Sequence, residues 1–319
     1  MTTTATLPKT MHAAVVDAAG GPEAFHTKQV ATPTAERDHM IIALEYAGVG
    51  SWDAFHRSGA WGKIKPGTVL GVDGSGTIAA VGPGVENFAV GDRVYSYSYK
   101  NPTGGYYAEY VSVPADRVAR VPGDLKMATA GAMPCVALTA LAGLESLHLS
   151  KKQTLLVFGA SGGVGSMAVW LAHREGMTVI GTAQADAQEY VRHLGADHVV
   201  DANASQLDAV LNRVAPDGFD GCLVTANSKA LPAFISHLKP KAHFAYPNGV
   251  EPAPKFPAHA HSTFDGEMSR GAWDRLNGLI GSHSIPLRTE VFSLKEVGDA
   301  HRRIEKGHVV GKIVLKIEF

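Results

Sequence analysis

Leu155-Leu156-Val157-Phe158-Gly159-Ala160-Ser161-Gly162-Gly163-Val164-Gly165 is the stretch on which the fold of this chain turns. An apolar run stops at a glycine-rich turn. Behind it a helical pattern opens, with Val164, Met167, Ala168 and Leu171 at the i, i+3, i+4, i+7 spacing of one buried face. Strand, glycine turn and helix in this order place a pyrophosphate at a helix N-terminus. The glycines let the backbone come close, and unpaired N–H groups with the positive end of the helix dipole hold the charge. With a strand before it and a helix after it, the turn reads as a dinucleotide site rather than an ordinary tight β–α turn.

The same alternation continues downstream. Met177–Gly181, His198–Val200, Gly221–Val224 and His243–Tyr246 are strand candidates, and Ala185–Leu194, Gln206–Val214 and Ala230–Leu238 are helix candidates between them. Strands and helices alternating at this spacing imply right-handed crossovers and a parallel sheet. Residues 138–250 are therefore expected to form a doubly wound domain that binds its ligand at the carboxyl ends of the strands.

Upstream the pattern changes. Val15-Val16, Ile41–Leu44, Gly76–Val81 and Ala108–Val113 are short strand candidates punctuated by turns such as Gly82-Pro83-Gly84 and Gly91-Asp92. They argue for an irregular, mostly antiparallel β domain. Near the other end, Ser293-Leu294-Lys295-Glu296 is a capping box that opens a helix through Ile304, with Gly307 as its stop, and Lys312–Ile317 reads as a closing strand.

The chain has 319 residues, enough for two full cores, with 45% hydrophobic and 18% charged residues. A formal net charge of −1 argues against a nucleic-acid or anionic-membrane partner. Two cysteines, Cys135 and Cys222, make neither a disulfide framework nor a four-ligand zinc cluster. Met1–Thr10 lacks the apolar core of a secretory signal, and Met127–Leu144, interrupted by Pro134, reads as a buried helix at a domain junction rather than a membrane span. A cytoplasmic enzyme is the expectation.

Several further stretches carry a resemblance. Gly71-Val72-Asp73-Gly74-Ser75-Gly76-Thr77, Val81–Val85, Phe88–Val94, Gly105–Tyr110, Leu138-Thr139-Ala140, Gly159–Gly165, Gly195-Ala196-Asp197 and Gly311–Leu315 follow in the order found in the medium-chain dehydrogenase/reductase superfamily. Nearly the whole chain resembles that family. The resemblance implies a Rossmann domain (138–250) inserted in a GroES-like, mostly β catalytic domain (1–137 and 251–319), with a cofactor cleft between them and assembly as a homodimer.

Alcohol dehydrogenases of the superfamily hold an open-sided zinc on a Cys, a His and a second Cys. Aligned on the resemblance, the first two positions fall on Gly50 and Val72, which have no metal-binding side chain, and only Cys135 stands at the third. The family's structural-zinc loop of closely spaced cysteines is absent from the sequence. The chain thus resembles the zinc-independent quinone oxidoreductase (zeta-crystallin-like) branch, and no metal is expected. His259-Ala260-His261 lacks a third ligand nearby and reads as a solvated loop.

A dinucleotide site for NAD offers an acid about 20 residues past the glycine turn, to bond the ribose 2′-hydroxyl. That position is Ala183, which favours NADPH over NADH, although no Lys or Arg follows it. The family match carries the cofactor site onto Thr139, Gly159, Ser161, Gly162, Gly163, Val164, Thr182 and Gln184, and more loosely onto Asn227, Ala245, Tyr246 and Asn248. Lacking a Lewis acid, the site would need a substrate that is already electrophilic: a quinone or an alkene conjugated to a carbonyl. Candidate pocket residues are Ser51 as hydrogen-bond donor, Trp61 as stacking platform, Tyr46 or Tyr107 as proton donor, and Asp53 as turn acid or acid catalyst. Family members often carry Asn where Gly50 stands. An enoyl-thioester reductase, or an NADPH-binding sensor with little catalysis, are the alternatives the sequence leaves open.

Overall fold

The computed structural model describes residues 7–99, 105–250, 253–254 and 260–318. The chain divides into two compact units: Met1–Cys135 with Met268–Ser284 and Arg288–Phe319, and Val136–Glu267 with Ile285–Leu287.

The first unit begins with β1 (Thr10–Val16), β2 (His26–Ala31), β3 (His39–Val49), α1 (Ser51–Arg57), β4 (Thr68–Val69), β5 (Asp73–Val81), β6 (Arg93–Tyr97), β7 (Tyr110–Pro114) and β8 (Val118–Arg120). The long β3 carries Met40, Ile41 and Ile42, all fully buried, and its neighbours are β5, β7 and the chain's last strand. Burial of such a side chain stabilises by about 1.5–3 kcal/mol. Two register shifts in the β3–β5 pairing bend the sheet. Glycine at Gly76 is required by proximity: a Cβ there would overlap the Ala43 carbonyl. Next comes α2 (Met127–Ala132), and Pro134 opens a separate α3 (Pro134–Leu147). The single helix expected over Met127–Leu144 is thus two, because proline has no N–H to continue the first and fits the first turn of the second. Small residues let α2 lie close on the sheet; a Cβ at Gly131 would sit 2.6 Å from Tyr46 Cβ.

The second unit holds β9 (Thr154–Phe158), α4 (Gly163–Arg174), β10 (Thr178–Thr182), α5 (Gln188–His193), β11 (His198–Val200), α6 (Leu207–Val214), β12 (Phe219–Val224), α7 (Leu231–Ile235), β13 (Leu238–Pro247) and β14 (His261–Phe264). All pairings are parallel, in the order β11-β10-β9-β12-β13-β14. This is the dinucleotide-binding order, with the switch point between β9 and β12. Leu156, Phe158, Ile180, Cys222, Val224 and Phe244 form its core. The helix expected over Ala230–Leu238 stops earlier, since Leu238 already starts β13.

β14 lies outside the expected 138–250 span. Its backbone completes the sheet beside β13, with Phe244 opposite His261. His261 is therefore an exposed strand residue rather than part of a loop, and its ring stacks on Phe244 and Tyr246. His259 lies outside the described residues.

The chain then returns to the first unit with α8 (Arg270–Ile280), β15 (Thr289–Ser293), α9 (Val297–Glu305) and β16 (Lys312–Lys316). The expected capping box at Ser293 and Glu296 is present, and Gly307 sits at φ +70° past the helix end. The sheet runs β15-β16-β3-β5-β6-β8, with β7 also on β3. No described helix is long and apolar enough to cross a membrane.

Candidate cofactor site and buried charge cluster

The glycine turn sits between β9 and α4, where each glycine answers a different demand. Gly159 has φ +90°, a conformation that only glycine adopts without strain. A Cβ at Gly165 would overlap the Gly159 carbonyl and lie 2.8 Å from Ala160 Cα, so only glycine lets the helix pack this closely on the turn. Gly162 is the opposite case. A Cβ there meets nothing nearer than Gly159 O at 3.8 Å, and as helix N-cap it offers no side chain to the free amides. The result is an open cradle of backbone N–H groups at a helix N-terminus, which fits a pyrophosphate.

Its surroundings are tied to the turn. Gly159 N–H donates to Thr182 Oγ1 at 2.9 Å, and the Thr225 hydroxyl donates to the carbonyls of Phe158 and Gly159 at 3.0 Å each. The Tyr190 hydroxyl donates to Ser166 Oγ at 3.0 Å beneath the helix. Gln184 is exposed just past β10, where Ala183 is buried and carries no carboxylate. Asn227 follows β12, and Ala245, Tyr246 and Asn248 end β13. Four parallel strands thus present these residues at one carboxyl edge. Ala245 is fully buried, so it can offer only backbone; Asn248 is exposed, its amide bonded to Asp265 at 3.0 Å. Ser161, Gly163 and Val164 are half-buried around the turn, and Thr139 is buried on α3.

In the first unit, three adjacent strands bring charges together. Lys312 starts β16, Asp73 starts β5, and between them β3 ends at Val49, after which α1 carries Asp53. All three side chains are at most 4% exposed. The Lys312 ammonium donates to Val49 O at 2.8 Å and lies 4.3 Å from the centre of the Trp52 ring. Asp53 accepts the Gly50 N–H at 2.8 Å, and Asp73 accepts the Cys135 N–H at 3.0 Å. Burial drives the Asp53 carboxyl from 3.8 up to about 7, against the pull of the Gly50 amide and Lys312. Burial likewise raises Asp73 to about 6, opposed by Lys312. Burial pushes the Cys135 thiol far up as well, so it is no thiolate near neutral pH.

Beyond Asp53 the polar chain continues. The Tyr107 hydroxyl lies 3.4 Å from His301 Nε2, and burial drives its pKa well upward. His301 is pushed down to about 3 by burial and the nearby Arg57. Arg57 is 2% exposed and ion-paired with Glu305.

These positions redistribute the expected pocket residues. Asp53 and Tyr107 come together, but inside the protein: Tyr107 is fully buried and cannot meet a substrate as a proton donor. Ser51 is exposed and lines a cavity of about 370 Å³ with Ala54, Phe55, Ser58, Ile304 and Glu305. Trp61 is 61% exposed, its ring 6.2 Å from that of His56. Tyr46 is half-buried in β3, opposite Lys316 and Ser75. Lys312, Asp73, Arg57, His301 and Trp52 were not singled out by sequence; the Gly311-Lys312 pair was the one signal available.

Residues 36–123 match the alcohol dehydrogenase GroES-like domain family, and residues 194–315 match the zinc-binding dehydrogenase family. A chloroplast envelope quinone oxidoreductase homolog of Arabidopsis thaliana is 31% identical over 240 residues, covering 72% of each chain. The chain belongs to the medium-chain dehydrogenase/reductase superfamily, in its quinone oxidoreductase branch. An NADPH-dependent alkenal/one oxidoreductase from the same plant is 29% identical across 99% of this chain and 82% of its own. A mycobacterial quinone oxidoreductase structure superposes with a TM-score of 0.81 at 28% identity, covering 96% of this chain and 99% of that one. Membership makes the chain an oxidoreductase, and the Rossmann and GroES-like folds expected of it are present.

The superfamily's zinc does not fit. Gly50 and Val72 supply no donor atom, and Cys135 is a deeply buried neutral thiol. Among the described residues no group of three or more His, Cys, Asp or Glu is arranged to hold a metal ion.

Proposed function

We propose that this chain is a metal-independent, NADPH-dependent reductase of quinones and α,β-unsaturated carbonyl compounds. The observation that carries the proposal is the pairing of an open phosphate cradle at Gly162 with metal positions that hold Gly50 and Val72. The names of the plant and mycobacterial relatives agree with it.

A bound nicotinamide supplies a hydride from its C4 carbon. The chain's own residues do the rest. The amides of Gly162 and Gly163 would hold the pyrophosphate, Thr182 and Gln184 would take the adenosine ribose, and Thr139, Asn227 and the Ala245–Asn248 segment would serve the nicotinamide. Ala183 places no carboxylate against a 2′-phosphate, which favours NADPH. The Ser51 hydroxyl is free to donate to a substrate carbonyl, and the exposed Trp61 indole offers a face to a planar ring. Hydride addition to a conjugated alkene leaves an enolate, and to a quinone a hydroquinone anion. Each is quenched by one proton, from water or the Tyr46 hydroxyl. Positioning and charge stabilisation account for the rate.

The test is oxidation of NADPH and NADH, followed at the nicotinamide absorbance, with quinones, enones and simple ketones, each with and without chelator. Chelator-insensitive turnover of quinones or enones, faster with NADPH, is expected. Activity confined to simple ketones or alcohols and abolished by chelator refutes the proposal.

A further inference from the structure

The zinc position has not merely lost its ligands; the space and the charge are both taken. A Cβ built on Gly50 would overlap Cε2 and Cζ2 of Trp52, so the indole lies folded back over the very position where a ligand side chain would start. The Lys312 ammonium lies over this ring, 4.3 Å from its centre. Its Nε1 is shielded and has no hydrogen-bond partner, which marks the ring as placed by packing and by the cation rather than by its N–H. Lys312 is only 4% exposed and interacts electrostatically with two buried carboxyls, Asp53 and Asp73; one oxygen of Asp73 has no hydrogen-bond partner at all. Cys135, at the third ligand position, feels the same three charges. A divalent ion here would meet a resident cation and a filled volume.

We propose that this chain has replaced the superfamily's metal with an internal pair, the Lys312 ammonium and the Trp52 indole, so that restoring the missing ligands alone does not create a zinc site. Lys312 is the positioning residue: it sets the indole over Gly50 and neutralises the carboxylates behind it. Trp52 walls off the volume and leaves the first turn of α1 presenting Ser51. The inference rests on the metal-independent reading above, but it is tested without turnover, so a chain that failed as a quinone reductase would still decide it.

The experiment compares zinc bound per folded chain, by dialysis and elemental analysis, and the cobalt(II) absorption that reports tetrahedral thiolate ligation. Wild type and Gly50→Cys/Val72→His are expected to bind no zinc above background. Adding Trp52→Thr and Lys312→Met to that pair is expected to yield one zinc per chain and the thiolate–cobalt bands. One zinc in the wild type or in the first pair overturns the proposal, and so does a folded four-fold variant that stays metal-free. A second measurement covers misfolding of the ligand variants. In chains labelled with 5-fluorotryptophan, Lys312→Met/Asp73→Asn should move the fluorine resonance of Trp52, assigned with Trp52→Phe, and leave those of Trp61, Trp170 and Trp273 in place. An unmoved Trp52 resonance refutes the ammonium–indole pair.

Discussion

Replacing Asp53 by Asn should make the protein more stable at alkaline pH and less sensitive to pH altogether. The Asp53 carboxyl is held at about 7 inside the protein and returns to 3.8 when the chain unfolds. The folded state therefore binds its proton more tightly, and the associated stability, complete below pH 3.8, is lost as pH rises through about 7. A rise of this size corresponds to about 4 kcal/mol in full, of which rather more than half falls between pH 5 and pH 8. Asparagine preserves the contacts: its oxygen can accept the Gly50 N–H that Asp53 accepts at 2.8 Å, and its amide can donate to the Tyr107 hydroxyl. Asp73, raised by its own burial and opposed by Lys312, keeps its pH dependence in both proteins, so the difference between them reports Asp53. Urea unfolding of wild type and variant at pH 5, 6, 7 and 8 measures the effect. The stability difference should move in favour of Asp53→Asn by about 2–3 kcal/mol across the range. Parallel pH profiles for the two proteins would show that Asp53 is ionised and well solvated, and the account of the buried cluster would fall.

Three more expectations follow from particular contacts. Gly165→Ala forces the helix off the Gly159 carbonyl and should destabilise by about 1–3 kcal/mol while weakening nicotinamide-cofactor binding, whereas Gly162→Ala, with open space around it, should leave the melting temperature unchanged and weaken only cofactor binding in a fluorescence titration. Glu305→Ala strands the buried Arg57 guanidinium, two of whose nitrogens already lack partners, at a cost of about 3 kcal/mol by denaturant unfolding; Arg57→Leu/Glu305→Leu should recover most of it. Ser293→Ala removes half of a capping box and should cost about 1 kcal/mol, with no change in cofactor affinity.

The Rossmann half of the molecule could be read directly because its information is local. The β9 strand, the glycine turn and the α4 face occupy one continuous stretch, and an unbroken apolar run gives way to a 3.6-residue period at the turn. β14 escaped because it is only four residues long, and its strand character comes from the neighbouring β13 rather than from its own composition. The charge cluster escaped for a different reason. Lys312 meets Val49 across 263 positions, Arg57 meets Glu305 across 248, and Tyr107 meets His301 across 194. None of these pairs leaves a periodic trace, and a lone Lys after a glycine looks like any surface residue until the sheet order brings it beside two buried carboxyls. Tyr107 and Asp53 were picked out by position in a motif, which says where a residue stands in the chain but not whether it faces water.

The place of β16 has a consequence for how the molecule is made on the ribosome. The strand is inserted between β15 and β3, not added at an edge, and it is synthesised after everything it pairs with. The parallel sheet of the second unit, contained in one uninterrupted run apart from Ile285–Leu287, has nearly all its chain available well before then. The first unit must wait with the Tyr46–Val49 end of β3 unpaired on the side that β16 takes, and with Asp53 and Asp73 lacking their counter-ion, until Lys312 emerges. The nascent protein thus passes through a stage in which one half is able to fold and the other leaves the end of a central strand unpaired.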